Sequence, residues 1–187
     1  MKKHFLLHIL AGIVISSISF SCVGGNAPDS RLKVVIIRHG EKPETGDNLS
    51  CQGESRALQL SSVLYEKFNK PDYTYVPSLE LGKSITHARM FQTITPFAVK
   101  YNLTVNAKFD ENDYSNIAEN VLKKTGTVLM VWEHSSIQSL AEKLGVKSPP
   151  PWDGKDYDSI WVITYPNGKA LLAFDKEGIT PSPDCKF

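Results

Sequence analysis

An arginine and a histidine stand directly after an apolar run near the start of the chain, and together they suit phosphoryl chemistry. The run from Val34 to Ile37 is β-branched and unbroken, which predicts a central strand buried on both faces. Arg38 and His39 would then project from the carboxyl end of this strand, where open α/β sheets bind ligands. Arginine offers a planar fork of donors that matches phosphate oxygens, and histidine offers a nucleophilic nitrogen that is largely neutral near pH 7. Taken alone, the motif is equally compatible with a strand end that carries a solvated Arg and His.

Three further groups of residues follow, and in this order they resemble the motifs of a known family. Leu49-Ser50-Cys51-Gln52-Gly53 is similar to the Leu-Ser/Thr-x-x-Gly that opens the first helix of the histidine phosphatase superfamily, also called phosphoglycerate-mutase-like. Arg89, which Gln92 and Thr93 follow, resembles the family's second arginine. His134, at the end of a strand-like run that starts at Thr127, resembles its second catalytic histidine. With the Arg38-His39-Gly40-Glu41 signature, these matches span most of the chain.

The resemblance implies a phosphomonoesterase that acts through a phosphohistidine intermediate on a small phosphorylated metabolite. His39 would attack phosphorus, while Arg38, Arg89 and His134 surround the phosphate oxygens. Ser135 would join them, because backbone N–H groups at the start of the next helix can hold an anion. No metal ion and no cofactor are implied, since a phosphohistidine mechanism needs neither.

The proton donor for the leaving oxygen is expected in the acidic loop that runs from Phe109 to Tyr114, where related enzymes supply a carboxylic acid. Glu111 is the first candidate, and Asp110, Asp113 and Glu41 are the alternatives. The same loop is also compatible with a solvated acidic turn that caps the next helix.

Two other functions compete with the phosphomonoesterase. In a phosphoglycerate-type mutase the phosphoryl group returns to the substrate, although the mature chain looks short for a typical mutase. A catalytically weak, lipid-anchored module that only binds phosphate is the other alternative. It stays open because the proton donor is not settled, even though both histidines and both arginines are present.

The elements that must position these residues alternate between strands and helices. Ser50 is a fitting N-cap for an amphipathic helix over 53–68, and Asn167-Gly168 marks the turn of a late hairpin. A second helix starts near Thr86, with Pro96 as a kink or break. The order predicts an α/β fold, a three-layer α/β/α sandwich on a mostly parallel central sheet with a C-terminal β-hairpin. The remaining predicted elements are strands at 73–77, 103–107 and 127–133, helices at 115–124 and 137–144, and hairpin strands at 158–164 and 170–174.

The first residues read as an export signal. Lys2 and Lys3 precede an apolar run that is too short for a comfortable membrane span, and Ser19-Phe20-Ser21 is a small-x-small cleavage pattern. Cys22 then resembles the lipid-accepting residue of bacterial lipoproteins. We expect a signal peptide at 1–21, a tether at 22–30 and one domain at 31–187, exported to the periplasm or cell surface and lipid-anchored at Cys22. A short uncleaved anchor is the alternative.

Charge and cysteine content narrow the range of partners. Cleavage after residue 21 would leave 19 Lys and Arg against 20 Asp and Glu, with no long basic run, so nucleic acid is excluded as a partner. The expected partner is a small phosphorylated substrate, with membrane contact through a lipid on Cys22 and a monomer or weak homo-oligomer in solution. Cys51 and Cys185 either pair in an oxidising compartment or remain two separate thiols. No Cys/His spacing suggests zinc.

Overall fold

The computed structural model of the protein describes residues 27–79 and 88–187. Within these ranges, strands and helices alternate along the chain until the final hairpin. The strands are β1 (Lys33–Arg38), β2 (Tyr73–Tyr75), β3 (Val105–Asn106), β4 (Thr127–Trp132), β5 (Ser159–Thr164) and β6 (Leu171–Lys176). The helices are α1 (Cys51–Phe68), α2 (Ala88–Tyr101), α3 (Tyr114–Leu122) and α4 (His134–Lys143).

The strands form one mixed sheet in the order β3-β2-β4-β1-β5-β6. β1 pairs in parallel with β4, and β2 pairs in parallel with both β4 and β3. β5 runs antiparallel to β1 and to β6, which makes the last two strands the predicted hairpin. The predicted α/β class and mostly parallel central sheet are therefore confirmed.

Helices cover the sheet on both faces, because the central strands are apolar on both. Val34 and Ile36 of β1 belong to a core with α3 and α4, whereas Val35 and Ile37 belong to a second core with α1 and α2. Each of these four side chains is fully buried. Burial of one such side chain stabilises the fold by about 1.5–3 kcal/mol. The four-residue run predicted as a two-sided buried strand is thus the centre of a three-layer sandwich.

The predictions for α2 and α4 differ from the structure. α2 continues through Pro96, so of the two predicted alternatives the break is wrong and the kink stays a prediction. A proline inside a helix costs about 3 kcal/mol, but Ile94 and Phe97 on either side are buried in the core and hold the helix in place. α4 begins at His134 and not after it, because the backbone changes from extended to helical at Glu133.

Several predictions fall on residues outside the described ranges, namely the signal peptide at 1–21, Cys22, the first part of the tether and the start of the second helix near Thr86. They stay predictions. Within 27–79 and 88–187, no helix combines the length and the apolar character that crossing a membrane requires. The structure joins Cys51, the first residue of α1, to Cys185 in a disulfide.

Candidate active site

The two predicted catalytic histidines lie at the ends of neighbouring strands. β1 and β4 are parallel, with Arg38 in register with Trp132. One residue further on, the backbone N–H of His39 still donates to the Trp132 carbonyl at 3.2 Å. Because both strands end at the same edge of the sheet, His39 and His134 are brought to one place although they are far apart in the sequence.

The turn after His39 is held by the starts of two helices. The Gly40 N–H donates to Thr93 Oγ1 at 2.9 Å, and that hydroxyl donates to the Arg89 carbonyl at 2.7 Å. A Cβ atom on Gly40 would lie 2.8 Å from the Gly53 carbonyl oxygen in the first turn of α1. Glycine is therefore required here by close backbone approach, and the Arg38–Gly40 segment is fixed by α1 on one side and α2 on the other.

His39 is buried, and both of its ring nitrogens face acceptors. Nδ1 lies 2.6 Å from the carbonyl oxygen of Gly40, and Nε2 lies 3.0 Å from Glu133 Oε2. A carbonyl and a carboxylate can only accept, so each ring nitrogen must carry a hydrogen to satisfy both contacts. Because the Gly40 carbonyl occupies Nδ1, Nε2 is the nitrogen that faces Glu133 and the site.

Glu133 lies between the two histidines, and the sequence did not single it out. One carboxylate oxygen accepts from His39 Nε2, and the other contacts His134 Nδ1. Burial by itself raises the pKa of Glu133, but the hydrogen bond from His39 and the positive groups around it outweigh burial and lower that pKa to about 2. The signal in the sequence was its position, since residues just past the carboxyl end of a buried parallel strand face the crevice.

His134 is the first residue of α4 and is partly exposed. Its Nδ1 lies 3.2 Å from Arg38 Nη2 as well as against Glu133. Burial and the positive charge of Arg38 lower the pKa of His134, although Glu133 opposes them. Gly154 packs closely on the other side of the ring, since a Cβ there would lie 3.4 Å from His134 Nε2. The ring is thus confined between Arg38 and the loop around Gly154.

Arg38 is buried and is positioned by the loop before β5. Its Nη1 donates to the carbonyl oxygens of Gly154 at 2.9 Å and Asp156 at 3.1 Å. The guanidinium carbon lies 3.7 Å from the centre of the Tyr157 ring, an arrangement in which the ring face attracts the cation. Tyr157 also meets the His39 ring edge to face. The sequence carried no clear signal for Tyr157, because nothing in it showed that this loop returns to β1.

Arg89 lies in the first turn of α2, as predicted, and its Nη1 donates to the Gly46 carbonyl at 3.2 Å. Three buried side-chain atoms in the described part of the chain have no hydrogen-bond partner, and two of them are the Nε atoms of Arg38 and Arg89. The two predicted phosphate-binding arginines therefore each keep a donor that an anion could use.

The predicted proton donors have different surroundings. Glu111 accepts from the hydroxyl of Ser136 at 2.6 Å, two residues after His134. Asp110 is exposed, and Asp113 accepts from the side chain of Asn116 at 2.8 Å and 3.0 Å. Glu41 accepts from Arg56 through both of its carboxylate oxygens.

Ser135, the remaining predicted phosphate ligand, is exposed in the first turn of α4. Its place beside His134 agrees with the prediction, and its role as a ligand stays a prediction.

One group of described side chains has the types and spacing of metal ligands. The donor atoms of His39, Glu133 and His134 all lie within 4.8 Å of one another. Glu133 already pairs with a ring nitrogen of each histidine, so an ion would have to displace both pairs. We interpret the group as an ion-paired cluster. That the protein needs no metal or cofactor stays a prediction.

No protein-family model matches the sequence, and a search of curated proteins finds no relative. Solved structures do match its fold. The protein histidine phosphatase SixA, in complex with tungstate, is 16% identical, covers 78% of this chain and 97% of that chain, and gives a TM-score of 0.57. A phosphoserine phosphatase variant from Entamoeba histolytica, in complex with phosphoserine, is 13% identical over 79% of this chain and 98% of that chain, with a TM-score of 0.54.

A mycobacterial glucosyl-3-phosphoglycerate phosphatase, solved with inorganic phosphate, is 14% identical and covers 76% of this chain and 95% of that chain, with a TM-score of 0.52. At such low identities the likeness establishes the fold. The chain shares the fold of these three phosphatase structures, in agreement with the fold that its motifs implied.

Proposed function

We propose that this protein is a phosphatase, specifically a phosphomonoesterase that removes phosphate from a small phosphorylated metabolite through a phosphohistidine on His39. The observation that carries the proposal is the setting of His39. The Gly40 carbonyl holds Nδ1 at 2.6 Å, so Nε2 is the nitrogen that is turned toward the site, beside a second histidine and a buried arginine. The fold shared with phosphatases supports the reaction class.

The chemistry is a double displacement at phosphorus. The lone pair of His39 Nε2 forms the P–N bond as the P–O bond to the alcohol breaks, and the leaving oxygen takes a proton. Water then attacks the phosphohistidine, the P–N bond breaks, and inorganic phosphate leaves. The fixed Nδ1–carbonyl contact keeps the ring oriented through both steps, which lowers the entropic part of each barrier.

Cationic and hydrogen-bonding groups around His39 suit the charge that spreads over the phosphoryl oxygens. Arg38 is held by two backbone carbonyls and by the face of Tyr157, so its charge needs no reorganisation during the reaction. Its Nε and that of Arg89 are buried donors without a partner in the described residues. Loss of a single such donor from an anion site costs on the order of a hundredfold in rate.

The first prediction tests the nucleophile directly. His39→Ala should abolish phosphate release from p-nitrophenyl phosphate, and acid-labile phosphate should be trapped on the wild-type protein but not on the variant. Thermal unfolding of the variant serves as the control for structure. A rate near that of the wild type in a folded His39→Ala protein would contradict the proposal.

The same preparation separates the competing functions. A mutase would convert one phosphoglycerate isomer into another without release of phosphate. A coupled assay for free phosphate would therefore give a signal with a phosphatase and none with a mutase. A binding module would take up phosphate and show no turnover with any ester.

A further inference from the structure

The carboxylate of Glu133 lies where the phosphorus atom would have to approach. Glu133 Oε2 is 3.0 Å from His39 Nε2, and the opposite ring nitrogen is already occupied by the Gly40 carbonyl. The contact is therefore made with the one ring nitrogen that can attack. Any substrate that reacts with Nε2 must displace this carboxylate.

The contact also fixes where a proton is. Both ring nitrogens of His39 face oxygen atoms that only accept, so Nε2 carries a hydrogen that points at Glu133. An imidazole nitrogen with a hydrogen on it has no free lone pair in the ring plane and cannot attack phosphorus. Before the reaction can start, the Nε2 proton has to be transferred, and it already forms a hydrogen bond to Glu133.

We propose that Glu133 is the general base and general acid of the reaction, taking the proton from His39 Nε2 as the phosphate ester binds and giving it to the leaving oxygen. This inference rests on the proposed phosphatase function and replaces Glu111 as the proton donor.

The steps balance in atoms and electrons. The Nε2–H bond breaks, its electron pair stays on nitrogen, and the Glu133 carboxylate becomes a carboxylic acid. The Nε2 pair then forms the P–N bond, while the P–O electron pair goes to the leaving oxygen, which takes the Glu133 proton and departs as an alcohol. In the second half, Glu133 takes a proton from the attacking water and returns it to Nε2 as the P–N bond breaks.

The surroundings of Glu133 supply a reason for the proton to move. In the free protein, the positive groups beside this carboxylate keep it ionised, and its pKa is lowered to about 2. A phosphate dianion in the same place adds negative charge beside the carboxylate, and a like charge at such distances raises a carboxyl pKa. Binding of the ester thus favours the form of Glu133 that carries the proton.

The Glu133 side chain is not held by the backbone of α4. Glu133 is the N-cap residue of α4, yet its side chain makes no capping hydrogen bond, in contrast to Ser50 at α1. Glu111, by comparison, is hydrogen-bonded to Ser136, and Glu41 is tied to Arg56. Glu133, in contrast, contacts the reacting nitrogen itself.

The test compares two esters of similar size on the full-length protein. The leaving group of benzyl phosphate is a basic alkoxide, which needs a proton to depart. The leaving group of p-nitrophenyl phosphate is nitrophenolate, which departs without much help from an acid. Glu133→Gln should lower kcat/KM for benzyl phosphate by on the order of a hundredfold. With p-nitrophenyl phosphate the loss should stay within about tenfold, because nitrophenolate departs without a proton from a general acid. Glu111→Gln and Glu142→Gln, the latter exposed on α4, are matched variants in which we expect no such divergence.

The outcomes are distinct. An equal effect of Glu133→Gln on both esters, or a leaving-group-dependent loss in Glu111→Gln instead, would overturn the inference. Faster turnover of both esters in Glu133→Ala would also overturn it, since the carboxylate would then only block the site. If the wild type hydrolyses neither ester and traps no phosphate, the proposed function itself fails. Thermal unfolding of each variant distinguishes a chemical effect from a loss of structure.

Discussion

At the level of single residues, the two arginines of the site are held in different ways. Arg38 is buried, donates to two carbonyl oxygens and lies against Tyr157. Arg89 donates to the Gly46 carbonyl in the loop before α1, and its buried Nε has no partner among the described residues. Arg89 is therefore the better position at which to ask whether the fork of donors, and not the charge alone, matters.

We expect Arg89→Lys to lower kcat by on the order of tenfold or more, because lysine keeps the charge but cannot make a two-pronged contact with phosphate. Steady-state kinetics with p-nitrophenyl phosphate measures the effect. Arg31→Lys is the matched control, since Arg31 is exposed and pairs with Asp29 near the start of the domain. Equal rates in the two variants would place the Arg89 side chain outside the reaction.

The sequence was sufficient to predict the site residues that directly follow a strand and belong to a motif. Arg38, His39 and His134 lie together because β1 and β4 are parallel neighbours. Glu133 was taken as the last residue of a strand, and its role could not be foreseen. Adjacency to His134 does not reveal which way a side chain points, and the contact with His39 is made across 94 residues of sequence.

At the level of elements, the start of α1 is built on close contact between two glycines. A Cβ on Gly53 would overlap the carbonyl oxygen of Glu41 and lie 2.8 Å from the backbone nitrogen of Glu41, just as a Cβ on Gly40 would lie 2.8 Å from the Gly53 carbonyl oxygen. Ser50 caps the same turn by accepting from the Gly53 N–H at 3.1 Å and donating to the Glu41 carbonyl at 3.1 Å. The first turn of α1 thus sets the position of the segment that carries His39.

Gly53→Ala should therefore destabilise the protein by roughly 1–3 kcal/mol, the usual cost of overpacking. It should also reduce turnover of p-nitrophenyl phosphate, because the Glu41 backbone has to shift. Thermal unfolding and the phosphatase assay measure the two effects. Ser62→Ala, on the exposed face of the same helix, should leave both values unchanged. A Gly53→Ala protein with wild-type stability and rate would refute the role given to this contact.

Helices were predicted more accurately than short strands. α1 ends at Phe68 and is capped by Ser50, as its apolar spacing and cap residue predicted. β2 and β3 are shorter than the sequence indicated, with three and two residues. Strand length depends on how much of a neighbouring strand is available for pairing, and that information is not local. The predicted alternative of a break at Pro96 failed for a related reason, since burial of α2 outweighs the local preference.

For the whole molecule, one buried ion cluster links α1 to the end of the sheet. Arg56 donates to both oxygens of Glu41 and to Glu177 Oε2. Glu177 is almost fully buried, and its Oε1 has no partner among the described residues. Burial raises the pKa of Glu177 to about 8, despite the charge of Arg56, which Glu177 has to share with Glu41.

A raised pKa in the folded state means that the neutral acid is the form the fold favours. Glu177 therefore makes its full contribution to the free energy of unfolding below the ordinary carboxyl pKa. This contribution is lost as the pH rises through about 8. We expect the wild type to lose stability between about pH 5 and pH 9, and Glu177→Gln to remove much of that loss. Denaturant unfolding across this pH range measures it, with Glu142→Gln as the surface control. A steeper loss of stability with rising pH in Glu177→Gln than in the wild type would contradict the raised pKa of Glu177.

The pairing of β1 with β4 determines when, during synthesis, the active site can form. During synthesis, β1 and His39 leave the ribosome long before β4, Glu133 and His134, with α1, β2, α2, β3 and α3 in between. The central strand pair is a non-local contact, and such contacts slow folding because a long loop has to close first. A nascent chain that stops before residue 133 therefore holds His39 but neither Glu133 nor His134. Translation must pass the end of β4 before the site can assemble at all.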